Sequence, residues 1–393
     1  MTYIKKEWNL NIVMRIFLLV ILLLISVNAL AQQASTPIRA AQVFYSDAKN
    51  YKEFEREVVR MKNLGVNILI FRVFGNEGDR IYKFANAQSE VGVYFQTTHS
   101  PVIDDLLGDV TKIAHKHGIK IFAWMTTRHA TYGAGEDVLD QAYSLSESEY
   151  KTVSKLDLFD EKAVWELQQL YVDLAEYPID GILLQDDFVM RHMEGFGTEA
   201  RVQYLNEFDK DPEAKNMYSE LELKDNGRVK RIVYSEEFWR FQNWKNTRLI
   251  IVADELVKSV KKVNPQLKVA LNVGYELFNK PKNALAWYAH DYLLVKKFDY
   301  VAVMAYQDQM MKELGISLDK ASALIKSNTI NAVGVMGSAE RVIIKIQTKQ
   351  WDTGKDIPLK DIRFVYQKVK APFAEVGIAV VPWENRNYNF IRN

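Results

Sequence analysis

The order of apolar and amphipathic segments predicts an α/β protein folded as one (β/α)8 barrel of the TIM type, a single domain with insertions after strands three and four. Three observations lead there. Eight short apolar runs are spread along the chain, and a crossover long enough for a helix follows each. Helix-like stretches end in glycine before the next run. No Gly-x-Gly-x-x-Gly turn follows any run, which disfavours the runner-up, a doubly wound open sheet.

The strands are expected at residues 39–44, 67–73, 120–125, 181–185, 268–273, 300–305, 342–347 and 377–381. Helices are expected at 51–63, 102–117, 164–176 and 238–263. In the third of these, Val164, Leu167, Leu170, Tyr171 and Leu174 keep the spacing of one helical face. Asn63-Leu-Gly65 and Lys116-His-Gly118 read as helix stops. The long insertions, residues 127–162 and 188–235, fall on the catalytic face of such a barrel, where they shape a cleft. No linker or second domain is visible between residues 32 and 393.

Residues 1–31 read as a secretory signal peptide. Lys5, Lys6 and Arg15 precede an apolar run over 16–25, and Ala29-Leu30-Ala31 places small residues before a cut at Gln32. The run is short for a membrane span, so no stable insertion is expected after cleavage; an uncleaved anchor is the alternative. The protein is therefore expected in the periplasm or outside the cell. Zero cysteines mean no lipoprotein anchor and a fold held by its core rather than by disulfides. Loss of Lys5, Lys6, Glu7 and Arg15 takes the net charge from +1 to −1, which with no basic run argues against nucleic acid as a partner. Aromatic content of 12% suits a surface that stacks on sugar rings.

The sequence Asp180-Gly-Ile-Leu-Leu-Gln-Asp-Asp187 ends a buried strand in two adjacent carboxylates. Folding alone gives no reason to bury like charges together. At the carboxyl end of a barrel strand they reach the mouth where chemistry is done, one toward the axis and one toward a neighbouring strand or loop. A helix cap or a loop salt bridge is the plain alternative. Past the other strands come Arg72, Phe74, Tyr94 and His99, then Trp124, Thr126, Arg128 and His129. Gln185 follows, with Asn272, Tyr275, Tyr306, Asp308, Gln347, Trp351, Asp352, Trp383 and Glu384 beyond. Carboxylates, amides and tryptophans meeting at one mouth suit a saccharide.

Glycoside cleavage needs one carboxyl group to protonate the leaving oxygen and a second as nucleophile or base, unless the substrate's acetamido group takes that role. Asp186 and Asp187 are the candidate catalytic pair. Asp308, Glu384 and Glu194 are candidate partners, each readable as a rim salt bridge. No His-x-x-x-His, His-Glu-x-x-His or cysteine set offers a metal site, no Gly-x-Ser-x-Gly elbow appears, and no cofactor is expected. His115 and His117, two apart on a helix, read as solvated, as do Lys258, Lys261 and Lys262. Trp239 and Trp244 read as core.

Several segments together resemble a known family. They are Met61-Lys-Asn-Leu-Gly-Val-Asn67, His117-Gly-Ile-Lys-Ile-Phe-Ala-Trp-Met125, the double-aspartate segment, Leu271-Asn272, Ala286-Trp287, Asp299-Tyr-Val-Ala-Val-Met-Ala-Tyr306, and Ile344-Lys-Ile-Gln347 followed by Trp351. In order and spacing they are similar to the C-terminal glycoside hydrolase-like domain of poly-β-1,6-N-acetyl-D-glucosamine processing proteins of the PgaB type. The resemblance runs from Ile38 to Asn389. It implies a (β/α)8 barrel, endo-hydrolysis of a partly de-N-acetylated amino-sugar exopolysaccharide, catalysis at Asp186 and Asp187, and a groove lined by Trp124, Asn272, Tyr306, Asp308 and Gln347. Relatives carry a deacetylase domain ahead of the barrel; here the leader meets strand one, so a separate deacetylase or export machinery is the expected partner. The family's first strand ends in acids, whereas here Ala41-Gln-Val-Phe-Tyr-Ser-Asp47 holds one.

The leading expectation is thus an exported endo-glycosidase, with Asp186 and Asp187 catalytic and Trp124, His129, Gln185, Asn272, Tyr306, Asp308, Gln347, Trp383 and Glu384 holding the polysaccharide. A non-catalytic glycan-binding barrel that assists export is the alternative; a scaffold with no saccharide affinity comes third.

Overall fold

The computed structural model describes residues 36–224 and 229–392. The predicted signal peptide lies outside the described residues. From Ile38 onward the chain forms one compact unit.

Eight strands, β1 (Arg39–Val43), β2 (Ile68–Arg72), β3 (Lys120–Met125), β4 (Gly181–Leu184), β5 (Lys268–Gly274), β6 (Tyr300–Met304), β7 (Val342–Gln347) and β8 (Gly377–Val381), lie in chain order. All neighbours are parallel and β1 pairs with both β2 and β8, so the sheet closes into the predicted barrel. Each strand end falls within one residue of its expected place. The runs are legible because parallel barrel strands are covered on both faces and so stay apolar throughout.

Side chains fill the barrel. The Phe122 ring, 6.1 Å from the Tyr300 ring, lies so close to β4 that a Cβ on Gly181 would stand 2.6 Å from it. At the amino-terminal end of the barrel one device recurs. Asn67, Asp180 and Asp299, each just ahead of an even-numbered strand, accept the backbone N–H at the start of the strand before it, from Arg39 (2.8 Å), Ile121 (2.9 Å) and Val269 (2.9 Å). The first acid of the double-aspartate segment is therefore structural. His115 bonds that same Asp180 at 2.7 Å and His117 bonds Glu55 at 2.7 Å, so both histidines hold surface pairs rather than standing free in solvent.

The helices follow their capping signals. Asn50, Asp160 and Ser235 accept from Glu53, Ala163 and Phe238 at 3.0, 2.7 and 3.1 Å, which starts the helices Tyr51–Asn63, Glu161–Ala175 and Glu236–Val263. Gly65 and Gly118 take positive φ of 90° and 64° at the predicted stops. The helix expected from residue 102 begins instead at Leu107. Pro101 and Ile103 are held as a strand-like edge by Val93, with N–H to carbonyl distances of 3.0 and 2.8 Å. The two insertions contain structure of their own: hairpins Leu139–Ser144 with Glu149–Leu156 and Tyr218–Leu223 with Val229–Tyr234, and the helix Thr198–Phe208. Trp244 is core as expected, stacked at 4.0 Å on Phe159. No helix among the described residues is long and apolar enough to cross a membrane.

Candidate active site

β4 ends at Leu184, and the chain turns at Asp186 and Asp187, so strand alternation no longer sets their directions. Asp187 is 6% exposed and its carboxylate is saturated. The Thr126 hydroxyl donates to it at 2.6 Å, Thr127 donates its hydroxyl at 2.7 Å and its N–H at 2.9 Å, and the His129 N–H donates at 2.9 Å. Asp187 thus clasps the loop after β3. Asp186 is exposed, and no hydrogen bond or ion pair joins it to another described residue. Its charge is felt by Lys345 in β7, by Tyr306 past β6 and by Tyr288.

Around it the strand ends form an aromatic and polar lining. Trp124 packs on Phe44 at 5.0 Å and Phe74 at 5.8 Å. Phe44 in turn stacks on the exposed Trp351 at 6.2 Å, and Trp351 meets Tyr306 edge-on at 5.2 Å. The Arg72 guanidinium lies 4.2 Å over Phe74 and pairs with Asp79. Buried polar atoms without a partner among the described residues gather in this layer: both side-chain polar atoms of Gln42, Nε of Arg72, Nε1 of Trp124 and Oε1 of Gln185. Unpaired buried polar groups are expensive in a finished core, and here they come from four successive strand ends.

A residue that the sequence reading passed over lies in β7. Lys345, buried in β7, donates to Oδ1 of Asn272 at 2.8 Å, and Asn272 donates to the Leu184 carbonyl at 2.8 Å. Burial lowers the Lys345 ammonium to about 8, and Asp186 is the charge that opposes that fall. A second overlooked residue is Glu276, just past β5. Burial raises its carboxyl above the usual range, the nearby Glu313 adds to the rise, and a bond from Tyr288 opposes it. The Tyr288 phenol, raised to about 12 chiefly by burial, senses both Glu276 and Asp186. A lysine in an apolar strand run, two residues before Gln347, and a carboxylate two residues past Gly274 were the available signals.

The remaining expected residues divide. Gln347 is buried and both ends of its amide are engaged, by the Gln309 N–H at 3.2 Å and the Lys349 carbonyl at 2.5 Å, so it shapes the loop. Asp308 is a rim salt bridge with Lys312 at 2.8 Å. Glu384 stands 3.7 Å from Lys349 past β8, across the barrel from β4, and burial raises its carboxyl. Trp383 packs on Tyr388 at 4.9 Å. The His129 ring is half-buried, and burial lowers its imidazole below the usual value.

Glu194 is not near Asp186 in role. It belongs to a buried cluster under the two insertions, where Arg128 donates to Glu194 at 2.7 Å, to the Val189 carbonyl at 2.5 Å, to the Leu156 carbonyl at 3.1 Å and to Asp140. Lys245 joins it through the Arg191 and Glu194 carbonyls, both at 2.8 Å. Burial raises the Glu194 carboxyl, but Arg128 and Lys155 outweigh it and hold the group at about 2. Among the described residues no group of three or more His, Asp and Glu is placed to hold a metal ion.

Residues 45–375 match hypothetical glycosyl hydrolase family 13. The chain belongs to that family. It is a glycoside hydrolase, and its fold is similar to solved hydrolases. The PgaB (BpsB) glycoside hydrolase domain from Bordetella bronchiseptica is 20% identical with a TM-score of 0.68, over 90% of this chain and 95% of that one. The catalytic domain of β-amylase from Paenibacillus polymyxa gives 11% and 0.55, over 89% and 94%. β-Galactosidase from the psychrophilic Marinomonas ef1 gives 12% and 0.58, over 88% of this chain and 54% of that one. The PgaB-type resemblance drawn from sequence is thus met in the fold of the hydrolase. No curated protein matches its sequence.

Proposed function

We propose that the protein is an exported endo-glycosidase that cuts an amino-sugar exopolysaccharide such as partly de-N-acetylated poly-β-1,6-N-acetyl-D-glucosamine. The observation that carries this is Asp186, an exposed carboxylate without a hydrogen-bond or ion-pair partner among the described residues, just past the end of β4. Asp187, bound on both oxygens, serves as the clasp that fixes the turn. The second carboxyl of the reaction is Glu276, just past β5, the strand that pairs with β4, and burial raises it toward a proton-donating form.

Attack within a polymer is supported by a cleft of about 490 Å³ beside the mouth. Val138, Leu156, Leu167 and Leu170 floor it, and His99 paired with Glu166 at 2.6 Å forms its rim. Tyr132 lines it and bonds Asn76, past β2, at 3.2 Å. The half-exposed Trp165 lies edge-on to His99 at 5.5 Å and extends the lip. The single acid of the first strand segment, Asp47, is engaged by Lys83 at 3.1 Å, so selection for free amines rests on other groups. In this reading residues 1–31 direct export and a separate deacetylase prepares the polymer.

The test is mass spectrometry of products from fully and partly acetylated poly-glucosamine, with E276Q and E384Q alongside D186N. Loss of cleavage with D186N and E276Q and its survival in E384Q is the expected pattern. Unchanged polymer length with retained binding would reduce the protein to a glycan-binding barrel.

A further inference from the structure

β5 ends in a glycine that matters for its size rather than for its backbone freedom. Gly274 takes no left-handed φ, so its conformation is open to residues that carry a side chain. Asn272, two residues earlier, bonds Lys345 at 2.8 Å, and β6 separates their strands, so that bond runs through the barrel interior. Residues two apart on a strand share a face, so Gly274 also points inward, at the mouth end of β5. A Cβ there would stand 2.5 Å from Oε2 of Glu276 and 3.2 Å from Cε2 of Tyr288. The Glu276 carboxyl therefore fills the space that a side chain at 274 would take, with the edge of the phenol ring against the same point.

Tyr288 is itself fixed in place. It ends the helix Pro281–Tyr288, its carbonyl accepts from the Met190 N–H at 3.2 Å, and Nε2 of His290 bonds the Phe188 carbonyl at 2.8 Å. The helix end is thus tied to the loop after β4. Burial, with Glu276 next in weight, pushes the phenol up to about 12, so it keeps its proton and donates to the Glu276 carboxyl. The phenol of Tyr275 donates to Glu313 instead, at 3.1 Å.

We propose that Tyr288 is a positioning residue that, together with the bare Cα of Gly274, holds the Glu276 carboxyl at the mouth in the pose for giving a proton to the leaving oxygen. This rests on the hydrolase reading above, with Glu276 as its acid. One carboxyl oxygen takes the phenol's hydrogen bond, which leaves the acidic proton on the other. In the step itself, the electron pair of the bond between the anomeric carbon and the leaving oxygen goes to that oxygen, which takes the Glu276 proton. Water adds to the anomeric carbon, and the proton it releases restores Glu276. Nothing beyond water is consumed.

Two variants test this. Y288F removes the hydroxyl and keeps the ring. G274A sets a methyl 2.5 Å from Oε2, and the flexible carboxyl must swing away to make room. On the polymer each is expected to lower kcat/KM about 10–100-fold, since a small misplacement of a reacting group costs on that order. On 2,4-dinitrophenyl glycosides of the oligomers it cuts, whose leaving group departs without a proton, the loss should stay under about threefold. E276Q must show the same split between substrates, and a wider one. Equal losses on both substrates would make Tyr288 and Gly274 merely structural and overturn the proposal, as would no loss in either variant or failure of both to fold. Should the native protein cut no glycan, or E276Q show no split, the functional reading fails by itself. Tyr288 is then judged by ¹³C titration of Glu276, whose midpoint must rise in Y288F because the hydrogen bond that lowers it is gone.

Discussion

Two charged regions lie within a few residues of one another on the same end of the barrel, and they are built on opposite plans. Around Arg128, every charge is answered: two carboxylates and two carbonyls surround the guanidinium, and Asp140 also accepts from Gly195 and Gln141 at 3.0 and 2.7 Å. Asp187 follows the same plan. Around Asp186 the plan is reversed, with an unbound carboxylate, a lysine holding one bond, and unpaired atoms on Gln42, Arg72, Trp124 and Gln185. Saturation ties down the insertions; incompleteness leaves room for a ligand. Adjacent aspartates in one sequence motif thus stand in opposite surroundings.

The largest expected effect separates those two residues. D186N should lower kcat/KM at least about 10³-fold, within the usual worth of a positioned acid or base, with an unchanged melting temperature. D187N should instead lose stability, on the order of 3 kcal/mol, because an amide can accept fewer of the bonds that Thr126, Thr127 and His129 donate. Equal losses of stability in the two variants would erase the distinction.

Next comes a pair of opposite sign. R128M should cost about 3–5 kcal/mol by urea denaturation, since it removes the ion-pair partner of the buried Asp140 and leaves Glu194 with Lys155 alone. K345M should not. The folded protein holds the Lys345 proton less tightly than the unfolded chain, about 8 against 10.5, so this group's penalty is complete below pH 8 and fades as pH rises to 10.5. That penalty is about 3 kcal/mol, and methionine relieves it while leaving Asn272 Oδ1 unpaired at a cost of about 1–3 kcal/mol. At pH 7 the variant is expected to be as stable as the native chain or more so by up to about 2 kcal/mol, with the advantage gone above pH 10.5. A clear loss at pH 7 would put Lys345 with the saturated cluster.

The contrast explains how far the sequence could be read. Barrel strands are legible because both faces are buried, so their apolar runs and the glycines that stop the helices stand out. Asp186 was legible because two acids cannot both be core. The division of labour between Asp186 and Asp187 was not, since it depends on Thr126 and Thr127, some 60 residues away in sequence. Gln347 and Lys345 share a strand and a parity, yet Gln347 is engaged by its neighbouring loop while Lys345 bonds only Asn272 among the described residues. Which polar group is answered is a property of loops meeting in space, and no spacing rule reports it. Glu276 was missed for the same reason: its raised carboxyl comes from burial that only the closed barrel creates.

The smallest expected effect concerns the cleft that flanks the mouth. If it holds sugar units remote from the cut, its contribution appears only with substrates long enough to reach past Tyr132. A134W places an indole among the cleft's lining residues, away from Asp186 and Glu276. Measured on acetylated oligomers of increasing length, it should leave kcat/KM for the shortest cleavable ones unchanged. For long ones it should lower kcat/KM about tenfold, the equivalent of about 1.4 kcal/mol of remote binding. Both sizes falling together would mean that the indole disturbs the Arg128 cluster, which reaches the cleft floor through the Leu156 carbonyl. Neither size changing would confine recognition to the unsaturated mouth, and the boundary between the two charged regions would then also bound the binding site.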